Sequence, residues 1–505
     1  MSRNALANSP DSTNLLFAAL AFFAVFLCVL IGWGVLGRTS QTSDNELYLL
    51  PWVGLTALVV TAPSVILFYR KKFDFFHPVV FATWSYFFPA FVVGGLVLAF
   101  GISQPVFIHL IDNPEYNLPL TFVYIALGFA GLSIGCALPW GRIAGEWLSR
   151  NAIPVWNWQP GEIFLPSLFI LATGFFFYFL AWAAGSVGYQ QLDLNNSFSS
   201  ANAFFSLLVH EAILMLCLFL FKARRLQIFH VVSIVLVILV VLSRMVLGGT
   251  KGSLLVIVTL IAMAFAYSGR RLKAKQAVFF AFLGVAAVLV GVSYGTNFRE
   301  LHGSEAKTSM SQYVDHAEQA IEIIFTQDPT KTLSDGLSAV AERIEIASSL
   351  AVIVSNYEKL APYEAAYGLE NNIWTYTWTG FIPRAVWADK PIISDARGYS
   401  DLYFNYGDSS FAMTPMGDLL RNFGPLGVPL GMLLLGFLLR IIYAALIENQ
   451  TPTISRVTTY YMLLTTVSYE GFYGTILPSM IRVLFVTGLS LLFVNLIVKS
   501  QQSRN

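Results

Sequence analysis

Trp378-Thr379-Gly380-Phe381-Ile382-Pro383-Arg384-Ala385-Val386-Trp387-Ala388-Asp389-Lys390-Pro391 and, further on, Met416-Gly417-Asp418-Leu419-Leu420-Arg421-Asn422-Phe423-Gly424-Pro425-Leu426-Gly427 mark the latter part of a long polar stretch, Thr296 to Phe423. Everywhere else the sequence reads as hydrophobic runs joined by short connectors. This one stretch interrupts them. A chain that keeps a single large hydrophilic insert, rich in Arg, Asp, Trp and Tyr, is expected to do its chemistry there.

The remaining composition defines the setting. Of 505 residues, 56% are hydrophobic and 12% charged, and mean hydropathy is +0.65. Soluble domains carry about 25% charged residues, so an all-α polytopic membrane protein is expected. A net charge of +1 offers nothing to a nucleic acid. Cys28, Cys136 and Cys217 all lie inside apolar runs, as small buried residues do. A disulfide framework or thiolate metal site is not expected.

A span needs about 20 mostly apolar residues. Twelve stretches qualify: 15–37, 48–69, 78–101, 118–140, 162–185, 202–221, 228–247, 252–268, 277–295, 425–447, 457–474 and 480–498. Cations alternate between their loops. Arg70, Lys71 and Lys72 follow the second span, and Arg142 and Arg150 the fourth. Lys222, Arg224 and Arg225 follow the sixth; Arg270, Arg271, Lys273 and Lys275 the eighth; Arg456 the tenth; Lys499 and Arg504 the twelfth. The loops 102–117 and 190–200 carry none. Lys and Arg mark cytoplasmic loops. The expected layout is therefore nine spans over 1–295, an extracytoplasmic segment over 296–424, and three spans over 425–505, with both termini cytoplasmic. The first apolar run reads as a retained span rather than a cleaved leader.

The first half of the polar segment, about Ser309 to Lys359, has apolar residues three and four apart (Ile321, Ile324 and Phe325, then Leu337, Val340, Ile344 and Ala347). This predicts amphipathic helices broken at Asp328-Pro329, expected as a lid. The second half is loop-like and aromatic. Trp378, Trp387, Tyr399 and Tyr403 are candidate sugar platforms, since rings stack on sugar C–H faces; an interfacial aromatic belt is the alternative. The segment holds 17 Asp/Glu and 9 Lys/Arg, so it is no general anionic-lipid sheet. Its cations are bunched instead: Arg384, Lys390 and Arg397, then Arg421. Guanidiniums bind phosphate through a planar two-donor fork, although internal pairing with Asp389 or Asp395 would account for each of them singly.

Ionisable residues within or at the ends of spans are costly and usually functional. Arg244, Lys251, Arg299, Glu470 and Arg482 all fall at the expected outer ends. His210 and Glu211 fall mid-span and read as a buried structural pair. Arg440 reads as a cation reaching back to the cytoplasm.

With these residues in hand, the chain resembles the Wzy-type polymerases of O-antigen and exopolysaccharide repeat units. The likeness rests on the span count, the large late outer loop, the run Ile382-Pro383-Arg384…Trp387…Lys390-Pro391 and the run Gly417-Asp418…Asn422-Phe423-Gly424…Gly427. It implies a glycosyltransferase-C-like membrane fold in a bacterial inner membrane, with the loop in the periplasm. It also implies an undecaprenyl-diphosphate-linked glycan as donor, a lipid-linked repeat unit as acceptor, and a chain-length regulator and a flippase as partners. The leaving diphosphate needs charge stabilisation, expected from Arg244, Lys251, Arg299, Arg343, Lys390, Arg397 and Arg482. The acceptor hydroxyl needs a proton acceptor, expected in Asp418 or Glu470, with Arg384 and Arg421 beside them. With no Asp-x-Asp motif in the sequence, a metal-independent, cofactor-free enzyme is expected.

Three other readings use the same residues differently. An O-antigen ligase would share the topology but rely on a loop histidine, and the segment offers only His302 and His316, outside both runs. A transferase using a monosaccharide polyprenyl phosphate would place its carboxylate in the first outer loop, where Asp44 and Glu46 stand, but its large loop would come early. A transporter or flippase would line mid-span cavities with charge, whereas these charges crowd one rim.

Overall fold

The computed structural model describes residues 46–103, 107–183, 202, 204–223, 227–248, 253–270, 273, 282, 291, 293–301, 310–326, 329–382, 386–387, 389–390, 394–407, 410–448 and 452–503. Among them there are helices and turns and no strand. Six helical stretches are long and apolar enough to cross a membrane: Leu47–Tyr69, Pro78–Ala99, Pro114–Ala137, Pro160–Ala183, Pro415–Glu448 and Tyr473–Gln502. They are the apolar helices of a membrane-embedded protein. The expected span 15–37, Cys28 within it, and most of 277–295 lie outside the described residues.

In chain order the helices before the polar segment are α1 (Leu50–Tyr69), α2 (Pro78–Ala99), α3 (Pro114–Ala137), α4 (Pro139–Asn151), α5 (Phe164–Ala183), α6 (Leu208–Lys222), α7 (Ile228–Gly248) and α8 (Ser253–Ala266). The segment itself contributes α9 (Met310–Thr326), α10 (Pro329–Ile344), α11 (Ala347–Leu360), α12 (Asn372–Thr379) and α13 (Ala396–Phe404). Then come α14 (Pro415–Tyr443), α15 (Ile454–Thr466) and α16 (Ile476–Gln502).

The centre is the α3–α14 pair. Glycines let the two backbones touch: a side chain at Gly131 would strike the carbonyl of Pro429, one at Gly135 that of Leu433, and one at Gly436 that of Leu132. Without a hydrophobic drive between helices in lipid, close approach at small residues is what holds them. Cys136 donates its thiol to the carbonyl of Gly436 at 3.2 Å. Cys136 and Cys217 are both buried and free, in line with their apolar surroundings in sequence.

α14 is two arms. Gly424 has φ 70° and ψ −168°, a backbone that residues with a Cβ rarely adopt, and Pro425 follows. The 415–423 arm folds back along 425–443, so that the Leu419 side chain lies against Gly431. In one straight helix those residues would be about 18 Å apart. Met416 and Val428 both pack against Gly128, and Gly417 packs against Ile353 and Leu350 of α11.

The polar segment is therefore threaded into the bundle rather than set apart from it. Residues 347–354 of α11 are all buried, and the Ile344 carbonyl abuts Gly94 in the C-terminal third of α2. This corrects the expectation that its helical first half is a lid. Of the apolar positions spaced for one face, Leu337 and Val340 of α10 pack with Val93 and Val97 of α2, and Ala347 opens the buried stretch that docks α11 against α3, α13 and α14.

The expected span 457–474 also changes. α15 has 13 residues, about 20 Å long, against a hydrocarbon core of about 30 Å. The chain then runs non-helically over 467–472. Such backbone at membrane depth must find partners in the protein. Here the Glu470 carbonyl accepts from the Thr414 amide at 3.4 Å, and the Gly474 amide donates to Asp418 Oδ2 at 3.2 Å.

Candidate functional site at the seam of the polar segment and α14–α16

The second quoted run meets residues 364–372, Ser394 and Gly474 through a buried polar network. On the 415–423 arm, Asp418 and Arg421 are one helical turn apart and so share a face. Thr414, with its hydroxyl accepting from the Gly417 amide at 3.1 Å, starts the arm. The Arg421 guanidinium donates to Glu364 Oε2 at 2.7 Å, the Leu369 carbonyl at 2.6 Å, Asn372 Oδ1 at 2.5 Å and Asp418 Oδ1 at 2.7 Å. Asn372 Nδ2 donates to Asp418 Oδ1 at 3.1 Å and Ser394 Oγ at 3.0 Å. Asn422 Nδ2 reaches Asn372 Oδ1 at 2.8 Å. Tyr403 donates its hydroxyl to Glu364 Oε1 at 2.8 Å.

The charged side chains of Arg421 and Asp418 are both 0% exposed. Burial pushes the Glu364 carboxyl above its ordinary range, against the pull of Arg421. A charge can be buried when it is paired and hydrogen-bonded; both terminal nitrogens of Arg421 are engaged here, and its Nε has no partner among the described residues.

Sequence candidates are corrected accordingly. Asp418 was a candidate proton acceptor and Arg421 a candidate catalytic arginine, yet both are enclosed and committed to protein partners. They hold α12, the 361–367 turn and the 467–475 bend together. Tyr399 and Tyr403 were candidate sugar platforms. Both are buried, with the Tyr399 ring against Tyr403, Phe404 and Phe472, so neither offers a face. Their apolar rings fill the core under α13 instead.

What the network presents outward is α12. Asn372 is its first residue, and the helix is seated on α16: a side chain at Gly474 would strike Ile373, and one at Gly380 would strike Pro478. Trp374 and Trp378, four apart, stand on its outer side, each 64% exposed, ring centroids 5.9 Å apart and edge to face. Trp387 is also exposed.

A second charged pair joins α10 to the 467–472 bend. Arg343, at the end of α10, donates to Glu470 on the 467–472 bend in a short ion pair. The two side chains stay 52% and 37% exposed. Next to Arg343 in sequence the chain turns inward. Burial pushes the buried Glu345 carboxyl up to about 7, opposed by hydrogen bonds from the Ser348 hydroxyl and amide.

The other cations are dispersed. Lys390 is buried, donating to the Ile382 carbonyl at 3.2 Å and lying 5.4 Å from the centroid of the Tyr376 ring. Arg397 is exposed on α13; its amide, not its guanidinium, engages Asp395. Arg482 lies over the Phe204 ring at 5.1 Å. Arg299 is half-buried in the 293–301 helical stretch. Arg384 and Lys251 lie outside the described residues, as does the side chain of Arg244.

The residues that sequence reading missed are Glu364, Asn372, Gly474 and Trp374. Gly368 with φ 64° and Asn371 with φ 49° mark the turns that deliver Asn372. Gly and Asn at such spacing are turn signals, but turn signals do not announce a partner. The second half is not loop-like as expected: Asn372–Thr379 and Ala396–Phe404 are helical, which puts Trp374 and Trp378, four apart, on one face.

Among the described residues no group of His, Cys, Asp and Glu could hold a metal ion. Comparison with family models, curated proteins and solved structures finds no match.

Proposed function

We propose that this chain is a polymerase of lipid-linked oligosaccharide repeat units, working at the outer face of the bacterial inner membrane. In this reading the chain has twelve spans, both termini are cytoplasmic, and α9–α13 belong to a periplasmic segment that dips back into the bundle. The observation that carries it is the seam itself. α12, which carries the exposed Trp374 and Trp378, packs on Gly474 and Pro478, just after the non-helical bend whose Glu470 makes an accessible pair with Arg343 of α10. Rings for sugar, a cation for diphosphate and a carboxylate for a proton are the parts this transfer needs.

The reaction is a single displacement. The non-reducing-end hydroxyl of a lipid-linked repeat unit attacks the anomeric carbon of the growing glycan. The bond from that carbon to the lipid diphosphate breaks, and the diphosphate leaves with the electron pair. The hydroxyl proton passes to the Glu470 carboxylate, the accessible acceptor now that Asp418 is enclosed. Arg343 meets the charge that develops on the leaving group. Trp378, with Trp374 and Trp387, stacks the sugars. The wholly internal carboxylate–guanidinium network serves to keep these groups in register.

The test is incubation of the purified protein with a polyprenyl-diphosphate oligosaccharide and no other acceptor. A ladder of lipid-linked products is expected. Intact starting material, or transfer only when a lipid A core is added, would overturn the reading; the second result would favour a ligase.

A further inference from the structure

We infer that Arg343 anchors a diphosphate site which Glu470 occupies as an internal stand-in while the site is empty. The inference rests on the reading just given for what the diphosphate belongs to, but its geometry stands by itself. Arg343 and Glu470 are 127 residues apart in sequence and belong to α10 and the 467–472 bend. A carboxylate and a phosphate present the same pair of acceptor oxygens to a guanidinium. Displacing one by the other exchanges like for like.

Three features distinguish this pair from an ordinary surface ion pair. First, its neighbours are closed and it is not: Glu345, Tyr469 and Phe472 are buried, while Arg343 and Glu470 stay half-exposed. Second, Glu470 sits on backbone that is non-helical between α15 and α16, deep along the bundle. Tyr469 stacks on Tyr86 with ring centroids 5.6 Å apart, and Tyr86 is about 12 Å along α2 from Pro78. Broken helices at this depth are where membrane proteins gather ions and charged ligands.

Third, the Tyr86 hydroxyl is enclosed with no hydrogen-bond partner among the described residues, within electrostatic reach of both Glu470 and Arg343. An enclosed hydroxyl costs free energy until it is bonded. Tyr86 also lies in the wide-turned π-helical stretch Thr83–Val93 of α2, a geometry concentrated at functional sites. A bound diphosphate would take the Arg343 fork, give the Tyr86 hydroxyl an acceptor, and release Glu470. Donor binding thereby exposes the carboxylate that the acceptor hydroxyl needs, so the proton acceptor is bared only when a leaving group is seated.

The test is equilibrium binding of inorganic diphosphate and of geranylgeranyl diphosphate to the purified full-length protein in nanodiscs. Removing the competitor should help: Glu470→Gln is expected to tighten both probes about fivefold, the ratio equivalent to ~1 kcal/mol for a partly exposed pair. Arg343→Ala should abolish binding, and Arg343→Ala with Glu470→Gln should bind no better than Arg343→Ala. Tyr86→Phe should weaken binding with unchanged thermal stability. Glu342→Gln, which removes an exposed neighbouring charge, should leave affinity within about twofold.

Unchanged or weaker binding in folded Glu470→Gln, or tightening of the same size in Glu342→Gln, would overturn the stand-in. The outcome separates from the polymerase question. Tightening without any ladder keeps the site and sinks the polymerase; a ladder without tightening keeps the polymerase and sinks the stand-in.

Discussion

Arg421 illustrates what a single residue's environment decides. As one guanidinium near the end of an acidic segment it invites a phosphate, but its position on the face shared with Asp418, opposite Glu364, makes it an internal strut. Removing one member of a buried ion-pair network leaves its partners charged and desolvated, at about 3–5 kcal/mol. Arg421→Ala is therefore expected to lower the thermal midpoint of the purified protein strongly, and Arg421→Lys, with no planar fork, to restore little of it. A midpoint within 2 °C of the parent in Arg421→Ala would show the network to be dispensable. Glu345 carries the pH dependence. Its folded value of about 7 lies above the ordinary 4.5, so folding favours the protonated form. The stability it lends is complete below 4.5 and is lost as pH rises through about 7. Glu345→Gln should remove that decline, giving a flatter midpoint across this range; an identical slope in parent and variant would count against the assignment.

At the scale of elements, the hydrophobic runs were legible and the breaks in them were not. The runs of α1, α2, α3, α5 and the 425–443 arm stand close to where twenty-residue apolar windows put them, because burial in lipid needs only length and apolarity. The fold-back at Gly424, the early end of α15 and the burial of α11 depend on partners far away in sequence. Gly424-Pro425 reads equally as a loop or as the edge of a span. Gly424→Ala tests the fold-back. There is open space around it, so only its positive φ with extended ψ resists a side chain, and a loss of about 1–3 kcal/mol is expected. No loss would mean that the arms relax at no cost. α4 carries three stripes. Gly141, Gly145 and Ser149 face inward, Gly141 and Gly145 lying against α14 and the turn after it; Arg142, Glu146 and Arg150 form a charged row; Trp140, Ile143 and Trp147 are exposed on the side away from the bundle. That pattern suits a helix lying in the headgroup region. Brominated lipid should quench the fluorescence lost in a Trp140→Phe/Trp147→Phe variant, and an aqueous quencher should not.

Across the whole molecule, the site is a seam between parts far apart in sequence. The two quoted runs were legible as important. Only the fold distinguishes their roles: Asp418 and Arg421 brace, Trp378 is presented, and Glu470, from another stretch altogether, meets Arg343. One sequence gives side-chain types and periodicities, whereas which arginine is enclosed and which is open follows from long-range packing. Trp374→Ala with Trp378→Ala should raise KM for the lipid-linked unit more than it lowers kcat, with folding unchanged, since both rings are exposed. A polymerase of the proposed kind moves the growing glycan onto each new lipid-linked unit. This is tested most directly by letting the purified protein extend unlabelled lipid-linked glycan and then supplying isotopically labelled repeat units. The labelled unit is predicted at the reducing end, next to the lipid diphosphate, in every elongated product. Label at the distal, non-reducing end, or no elongation at all, would contradict it.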